Sequence, residues 1–240
     1  MSGERGADRR PVRTGLAEQV AGHLLHDITE GVYPPGSRLP PEPVLAEETG
    51  VSRLTLREAV KSLGLRGVLR VEQGRGTFVN PTSEWMPFDP QLLATLVQRD
   101  HGLAAQLTEV RGIVEVGAAA LAARRRTPED LRRMRAALDA ARTALDDEDV
   151  AAFSRADIAF HAAVLEAVGN QFVPALLVPA EAALREIRVQ TSRDRAASER
   201  ALVMHSRIYD AIRRRSARTA SDAMARHLDE TRRHIAAMPQ

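Results

Sequence analysis

Residues 51–60, VSRLTLREAV, predict the helix around which the N-terminal region is built. Ser52 can accept hydrogen bonds from the amides of a first helical turn, so it marks a helix N-terminus. One face of this helix is apolar, with spacings of i, i+3, i+4 and i+7 at Leu56, Ala59, Val60 and Leu63. The other face carries Arg53, Thr55, Arg57 and Lys61. Side chains of this kind reach phosphates and base edges, which is typical of a helix that reads DNA.

The segments on either side complete a small helical domain. Apolar residues recur every fourth position from Leu16 to Ile28, which predicts a helix over residues 16–30 that ends at Gly31. A short helix through residue 48 and a turn at Gly50 then precede the recognition helix, which runs to about residue 67. Two strand-like runs, 69–72 and 77–79, flank QGRG at residues 73–76, which predicts a hairpin with Arg75 at its tip.

The charge distribution supports nucleic-acid binding more than the net charge does. The formal net charge is only +2, but residues 51–75 carry six cations against two anions. The alternative for Arg53, Arg57 and Arg75 is a solvated charged surface. Thr55 could instead bond to its own helix backbone.

Length and composition allow one large or two modest domains and favour a protein of the cytoplasm. The chain has 240 residues, of which 44% are hydrophobic, and it contains no cysteine. No apolar run approaches a membrane span, and the Arg-rich N-terminus has no apolar core of the signal-peptide kind. We expect a DNA-binding domain with an N-terminal arm over residues 1–80, a linker over 81–90, and a second domain over 91–240.

The second domain is expected to be entirely helical, which makes the predicted fold class mainly α. The predicted bundle has about seven helices. Thr127 and Pro128 supply a cap and a first-turn proline for one of them. Pro174 and Pro179 should bend or split another. The predicted segments are 90–99, 103–125, 128–146, 149–168, 170–191, 196–215 and 217–237.

Four polar residues fall on inward-facing helix positions of this domain. Asp157 and His161 are four residues apart on an apolar face, while His205 and His227 have apolar neighbours at helical spacing. One carboxylate and three imidazoles could converge on a divalent ion, zinc first, with nickel or manganese as alternatives. The competing interpretation is four separate core residues, each satisfied by its own hydrogen bonds.

The N-terminal motifs resemble the winged helix-turn-helix of the GntR transcription-factor family. The resemblance covers roughly residues 14–80 and includes PGSRLPPE, LAEETGVSRLTLREAVKSL and the RVEQGRGTFV hairpin. It implies a homodimer on a palindromic double-stranded DNA operator, with Ser52 and the polar face of the recognition helix in the major groove. Gly74 and Arg75 of the wing would lie against the minor groove. The sequence departs from the family at Pro43, where an arginine is usual.

The order of the aspartate and three histidines resembles the FCD ligand domain of the FadR branch of the same family. That resemblance implies that the metal helps to hold a small carboxylate effector, with Arg111 and Asn170 as further effector-binding residues. A guanidinium suits a carboxylate because it can donate two parallel hydrogen bonds. The alternatives are a surface ion pair between Arg111 and Glu115 and a helix cap for Asn170. Around Trp85, the linker resembles a sub-branch that senses sugar acids such as galactonate.

Together these patterns predict a transcriptional regulator, a repressor by family habit, controlled by a small organic or sugar acid bound over a divalent metal. One alternative is a metal-dependent enzyme that uses the aspartate and three histidines, although no general acid or base is evident beside them. Another is a regulator whose metal is purely structural or sensory.

Overall fold

The chain forms two compact units, residues 1–87 and 88–240. The computed structural model describes residues 15–86 and 89–238. The predicted N-terminal arm and residues 87 and 88 of the predicted linker lie outside the described residues. None of the described helices is both long and apolar enough to cross a membrane.

The first unit is a three-helix domain with a two-stranded wing, as the sequence predicts. Its core contains Leu24, Leu56 and Leu63, which are almost completely buried. The Ser52 side chain accepts a hydrogen bond from the amide of Thr55 and so caps the recognition helix. The elements are α1 (Leu16–Thr29), α2 (Glu42–Glu48), α3 (Arg53–Leu65), β1 (Leu69–Glu72) and β2 (Gly76–Val79). The strands pair antiparallel, with Leu69 opposite Val79.

A polar cluster joins α1 to the end of α3. Glu18 accepts hydrogen bonds from Ser62 Oγ and from Arg66 Nη2, each at 2.7 Å. The hydrogen bond from Ser62 lowers the pKa of the Glu18 carboxyl; partial burial opposes this shift, and Arg66 adds to it. Ionised Glu18 therefore stabilises the packing of the two helices.

The segment after the wing packs back onto the first unit. Thr82–Glu84 form a 3-10 turn, and the Trp85 ring N–H donates to the carbonyl of Asn80 at 3.1 Å. The Met86 amide donates to the carbonyl of Arg66. Gly67 has a φ of +75°, and a Cβ there would lie 2.3 Å from the carbonyl oxygen of Glu84. Only glycine satisfies both the backbone angle and the close approach.

The second unit is all-helical, which confirms the predicted mainly α fold class. Residues 89–238 contain eight α-helices rather than seven, because the predicted segment 170–191 is broken around its two prolines. The helices are α4 (Pro90–Arg99), α5 (His101–Arg125), α6 (Pro128–Asp146), α7 (Val150–Glu166), α8 (Phe172–Ala175), α9 (Glu181–Thr191), α10 (Arg195–Arg213) and α11 (Ala217–Ala236). A 3-10 turn, Val178–Ala180, leads into α9.

The long helix α5 lies at the centre of this unit. It packs closely against α11 and also contacts α4, α7 and α10, while α6 packs on α7 and α10. The main core contains Met134, Leu138, Phe160 and Ile208. A capping box of Thr127 and Asp130 starts α6 at the expected position. This arrangement brings inward-facing side chains of α5, α7, α10 and α11 to one place.

Candidate metal centre and nucleic-acid interface

Three histidines meet inside the helical unit. His161 lies on α7, His205 on α10 and His227 on α11, and their exposed fractions are 3%, 1% and 4%. Each is carried inward because its helix has apolar residues at neighbouring positions of the same face. The structure therefore brings together three imidazoles that the sequence separates by up to 66 residues.

The spacing of the ring nitrogens fits a shared metal ion. Nε2 of His227 lies 3.1 Å from Nε2 of His205 and 3.3 Å from Nε2 of His161. Nitrogens bound to one zinc ion at about 2.1 Å are about 3.0 to 3.4 Å apart in octahedral or tetrahedral geometry. One ligand atom from each of the three residues lies within 4.8 Å of the other two. The donor set and its spacing suit a borderline divalent cation.

Asp157 supplies a carboxylate to the same cluster. Its Oδ1 lies 3.5 Å from Nε2 of His205. Its Oδ2 accepts a hydrogen bond from Nε of Arg188 on α9 and lies 3.9 Å from Nε2 of His161. Arg188 thus fixes one carboxylate oxygen and turns the other towards the histidines. Positioning groups of this kind commonly orient the residues that bind a metal directly.

A second buried carboxylate orients His161. Oε2 of Glu115 on α5 lies 2.5 Å from Nδ1 of His161, and Oε1 accepts from Nε of Arg111 at 2.7 Å. A carboxylate can only accept, so a neutral His161 carries its proton on Nδ1, and its Nε2 is an acceptor. This Nε2 lies 3.3 Å from Nε2 of His227 and also 3.3 Å from Nη2 of Arg111. The i, i+4 pair between Arg111 and Glu115, considered as an alternative role for Arg111 at the surface, does form, but it is buried in the cluster.

Burial and charge keep these groups in the states that metal binding requires. Burial lowers the pKa of His205 to about 3 and also lowers that of His227. Both imidazoles are therefore neutral at physiological pH, and each has a ring nitrogen whose lone pair can bind a metal ion. Burial alone would raise the pKa of Asp157, but Arg188 and the histidines hold it below its ordinary value. The pKa of Glu115 is lowered in the same way, because Arg111 and His161 outweigh its burial.

A cavity of about 50 Å³ opens onto the cluster. Its wall includes Arg111, Asp157, His161, Arg188 and His227. A bound acid could therefore meet both the histidine cluster and the Arg111 guanidinium. Asn170, the other predicted effector residue, is exposed. Its Oδ1 accepts from the amide of Phe172 at 3.0 Å, while the N-cap position of α8 is Gln171.

The predicted DNA-reading face of α3 is exposed. Arg53 and Lys61 point into solvent. Arg57 is 69% exposed, and its Nε donates to Oε2 of Glu42 on α2 at 2.7 Å. Thr55 is partly buried, and its hydroxyl lies 2.8 Å from that of Ser52, so part of its hydrogen-bonding capacity serves the helix cap.

The remaining residues that were predicted to contact DNA, Gly74 and Arg75, lie at the tip of the wing. Gly74 has a φ of +75° and open space around it, and Arg75 pairs with Glu72 at 2.5 Å. Arg38 lies beside this wing, where a Cβ on Gly76 would approach its Nε to 2.6 Å. Arg38 is exposed and adds a cation that the predictions missed, although it stands in the quoted motif PGSRLPPE. Pro43 is exposed on α2 and carries no charge.

The predictions also missed Arg188 as a cluster residue, and they named Glu115 only as an alternative partner of Arg111. The i, i+4 spacing of Arg111 and Glu115 could have identified Glu115 as a residue of the cluster. For Arg188 the sequence contains no comparable signal, because arginine is usually exposed.

Comparison with known proteins gives consistent matches along the chain. Residues 16–79 match the family model described as bacterial regulatory proteins, gntR family, and residues 106–230 match the FCD domain. The chain is 32% identical over 209 residues to the galactonate operon transcriptional repressor of Escherichia coli K12, covering 86% of this chain and 90% of that protein. It is 32% identical over 206 residues to the HTH-type transcriptional regulator LutR of Bacillus subtilis 168, covering 84% and 92%.

The fold also matches the solved structure of Lar, which controls expression of the agr system of Listeria monocytogenes. The TM-score is 0.68 at 19% identity, covering 95% of this chain and 100% of that one. At this level of identity the match shows a shared fold.

Proposed function

Because the chain belongs to the gntR family of bacterial regulatory proteins and carries an FCD domain, we propose that it is a metal-dependent, acid-responsive repressor. Family membership makes it a DNA-binding transcriptional regulator rather than an enzyme. In the proposal, a homodimer binds a palindromic operator. A small carboxylate or sugar acid, held over a divalent metal in the helical unit, then changes operator affinity.

Operator binding is assigned to the exposed cations of α3 and the wing. Arg53, Arg57 and Lys61 are spaced along one helix face, and Arg75 lies at the wing tip. Phosphate contacts from such residues provide affinity, while base contacts from α3 would provide sequence preference. Two copies of the unit on one palindrome would match a two-fold symmetric dimer.

The observation that carries the proposal is the convergence of three Nε2 atoms on one point. We assign His161, His205, His227 and Asp157 as the metal ligands, with zinc as the first candidate and nickel or manganese as alternatives. When bound, the ion would supply positive charge and open coordination positions for carboxylate oxygens. Glu115 and Arg188 would orient His161 and Asp157.

Arg111 is assigned to the effector carboxylate. Its Nε is held by Glu115, and its guanidinium lines the cavity that opens on the histidines. Its Nη2 also lies 3.3 Å from each ring nitrogen of His161, and the other N–H groups of the guanidinium can donate to an acid inside the cavity.

The metal assignment is tested on the full chain by elemental analysis after dialysis. The wild-type chain should retain about one equivalent of metal per chain, and the double variant His205→Ala, His227→Ala should retain almost none. His23→Ala, which removes an exposed histidine of α1, is the matched control. Full occupancy in the double variant would rule out this site.

The effector assignment is tested on an operator selected from random duplexes in vitro. Galactonate, gluconate and lactate are titrated against operator binding, with and without zinc. We expect at least one acid to change affinity only when zinc is present. Arg111→Lys keeps a charge beside Glu115 but loses the planar fork, so the acid response should weaken about tenfold while operator binding persists. A response to zinc alone would instead identify a metal sensor.

A further inference from the structure

Leu54, the second residue of the recognition helix α3, is exposed on the helix face that is assigned to DNA. Its exposed fraction is 70%. The apolar residues that anchor α3 are at most 4% exposed, and they are Leu56, Ala59, Val60 and Leu63. Single exposed leucines are common on protein surfaces, so exposure alone does not identify a contact. What distinguishes Leu54 is its direction on the helix and the residues beside it.

The side chain of Leu54 points directly away from the core of the first unit. Successive residues of an α-helix are rotated by about 100°, so the buried residues of α3 centre on a direction about 170° from Leu54. Arg53 and Arg57 lie about 100° and 60° from Leu54, on one flank of the same face. When the core side of α3 faces away from the DNA, Leu54 therefore faces the floor of the major groove. The two arginines face a wall of the groove, where the phosphates lie.

The centre of this face is suited to bases rather than to phosphates. Glu58, one turn after Leu54 and about 40° from it, is exposed and negatively charged. A carboxylate is repelled by phosphates but can accept a hydrogen bond from a base amino group. A leucine has no group that binds phosphate at all. Neither residue can therefore contribute to DNA binding except at the base edges.

The polar groups around Leu54 are partly engaged within the protein. Ser52 Oγ accepts from the Thr55 amide at 3.1 Å and lies 2.8 Å from the Thr55 hydroxyl. Nε of Arg57 donates to Glu42 at 2.7 Å. Leu54 has no such internal partner, because its side chain has no polar atom, and its exposed surface is available in full to a base edge. An apolar side chain gains free energy when it leaves water.

An apolar side chain can recognise one distinctive group in the major groove. The C5-methyl group of thymine is the only methyl group on the major-groove edges of the four base pairs, and the other distinguishing groups are hydrogen-bond donors and acceptors. We infer that Leu54 is a specificity-determining residue, which selects a thymine in each half of the operator by packing on its C5-methyl group. The inference rests on the proposed function, in which α3 lies in the major groove. It adds an apolar residue to the polar residues predicted to contact DNA.

The test removes one methyl group from the DNA at a time. An operator is selected from random duplexes in vitro, and each of its thymines is replaced in turn by deoxyuridine, which pairs in the same way but lacks the C5-methyl group. The affinity of the full chain is measured by fluorescence anisotropy at fixed salt. At one thymine of each half-site, the replacement should weaken binding about three- to fivefold, which is the effect of one buried methyl group.

A double-mutant cycle assigns this effect to Leu54. In Leu54→Ala the same replacement should have almost no effect, because the methyl group has lost its partner, while the other thymines keep their wild-type effects. Leu65→Ala is the matched control, since Leu65 is also 70% exposed but ends α3, far from the N-terminal residues that contact bases. It should retain the wild-type effect. Both substitutions place a strong helix former at an exposed position, so both variants should fold.

A second experiment adds the methyl group back. Changing the sensitive T·A pair to C·G should weaken binding, because cytosine lacks the methyl group and presents an amino group that leucine cannot satisfy. Placing 5-methylcytosine at that position should recover about three- to fivefold in the wild-type chain but not in Leu54→Ala. The salt dependence of binding should be the same in both chains, because leucine makes no phosphate contact.

The outcomes separate this inference from the proposed function. If no thymine shows an effect that depends on Leu54, or if Leu65→Ala removes the effect equally, the inference is wrong and operator binding by α3 stands. If selection enriches no operator for the wild-type chain, the proposed operator binding is wrong, and this inference is wrong with it.

Discussion

Replacing Glu115 by glutamine is expected to destabilise the helical unit by about 3 to 5 kcal/mol, the usual effect of removing one partner of a buried ion pair. Glu115 is 1% exposed and accepts from Arg111 at 2.7 Å and from His161 at 2.5 Å. Glutamine has nearly the same size but no charge, and its amide nitrogen only donates. Two charge-assisted hydrogen bonds, at about 1.5 to 3 kcal/mol each, give a similar range.

The assay is urea unfolding of the metal-free chain followed by far-ultraviolet circular dichroism, which reports all helices. The single tryptophan, Trp85, packs on the first unit, so its fluorescence is an internal control that should not shift. The matched variant Glu129→Gln breaks an ion pair with Arg132 on α6, but Glu129 is 58% exposed. Its effect should stay below about 1 kcal/mol.

The reasoning is refuted if Glu115→Gln and Glu129→Gln change the free energy of unfolding by the same small amount. A shift of the tryptophan transition in Glu115→Gln would refute the assignment of the effect to the helical unit. Metal affinity gives an independent readout, since losing a group that orients a ligand commonly costs about 10- to 100-fold in affinity.

Three further predictions concern the first unit. Glu42→Gln should raise affinity for non-specific DNA about two- to fivefold, since one fewer anion faces the phosphates. It should also reduce the preference for the operator, because Arg57 loses the acceptor that fixes its position. Competition gel shifts measure both quantities, and unchanged values would contradict the proposed role of the Arg57–Glu42 ion pair. Gly67→Ala should lower the free energy of unfolding by about 1 to 3 kcal/mol more than Gly74→Ala, as measured by tryptophan fluorescence. Both glycines have a φ of +75°, but only at Gly67 would the added Cβ clash with the backbone. Equal decreases for the two variants would refute this prediction. The pKa of Glu18 is lowered in the folded state. The stability that ionised Glu18 gives to the first unit is therefore present above its unfolded-state pKa of about 4.3, and it is lost as the pH falls through its folded-state pKa. Glu18→Gln should remove this part of the acid dependence in pH-resolved unfolding, and an unaltered profile would count against it.

Local signals in the sequence were sufficient for most of the fold. Ser52 and Thr127 cap helices where predicted, because capping depends on a side chain and the next few amides. Pro174 lies in α8, and Pro179 lies in the 3-10 turn that leads into α9. A proline removes a backbone donor wherever it stands, so its effect on a helix can be predicted without tertiary information.

The partners of the candidate ligands were harder to predict. Helical periodicity shows that His161, His205 and His227 face inward, but not that their helices meet at the same level of the bundle. Around Arg111 and Glu115 periodicity is weak, because α5 packs on several sides and has small or apolar residues all around it. The sequence therefore suggested the ion pair only as an alternative at the surface and did not indicate its burial.

Because Trp85 packs on the first unit, few residues are left to connect the two units. Residues through Met86 are bonded to the first unit. Asp89 already caps α4 by accepting from the amide of Leu92. Only residues 87 and 88 lie between these anchored points, so the covalent path from Met86 to Asp89 is at most about 10 Å long. Met86, which is bonded to the first unit, and Asp89, which caps α4, can therefore never separate by more than this length.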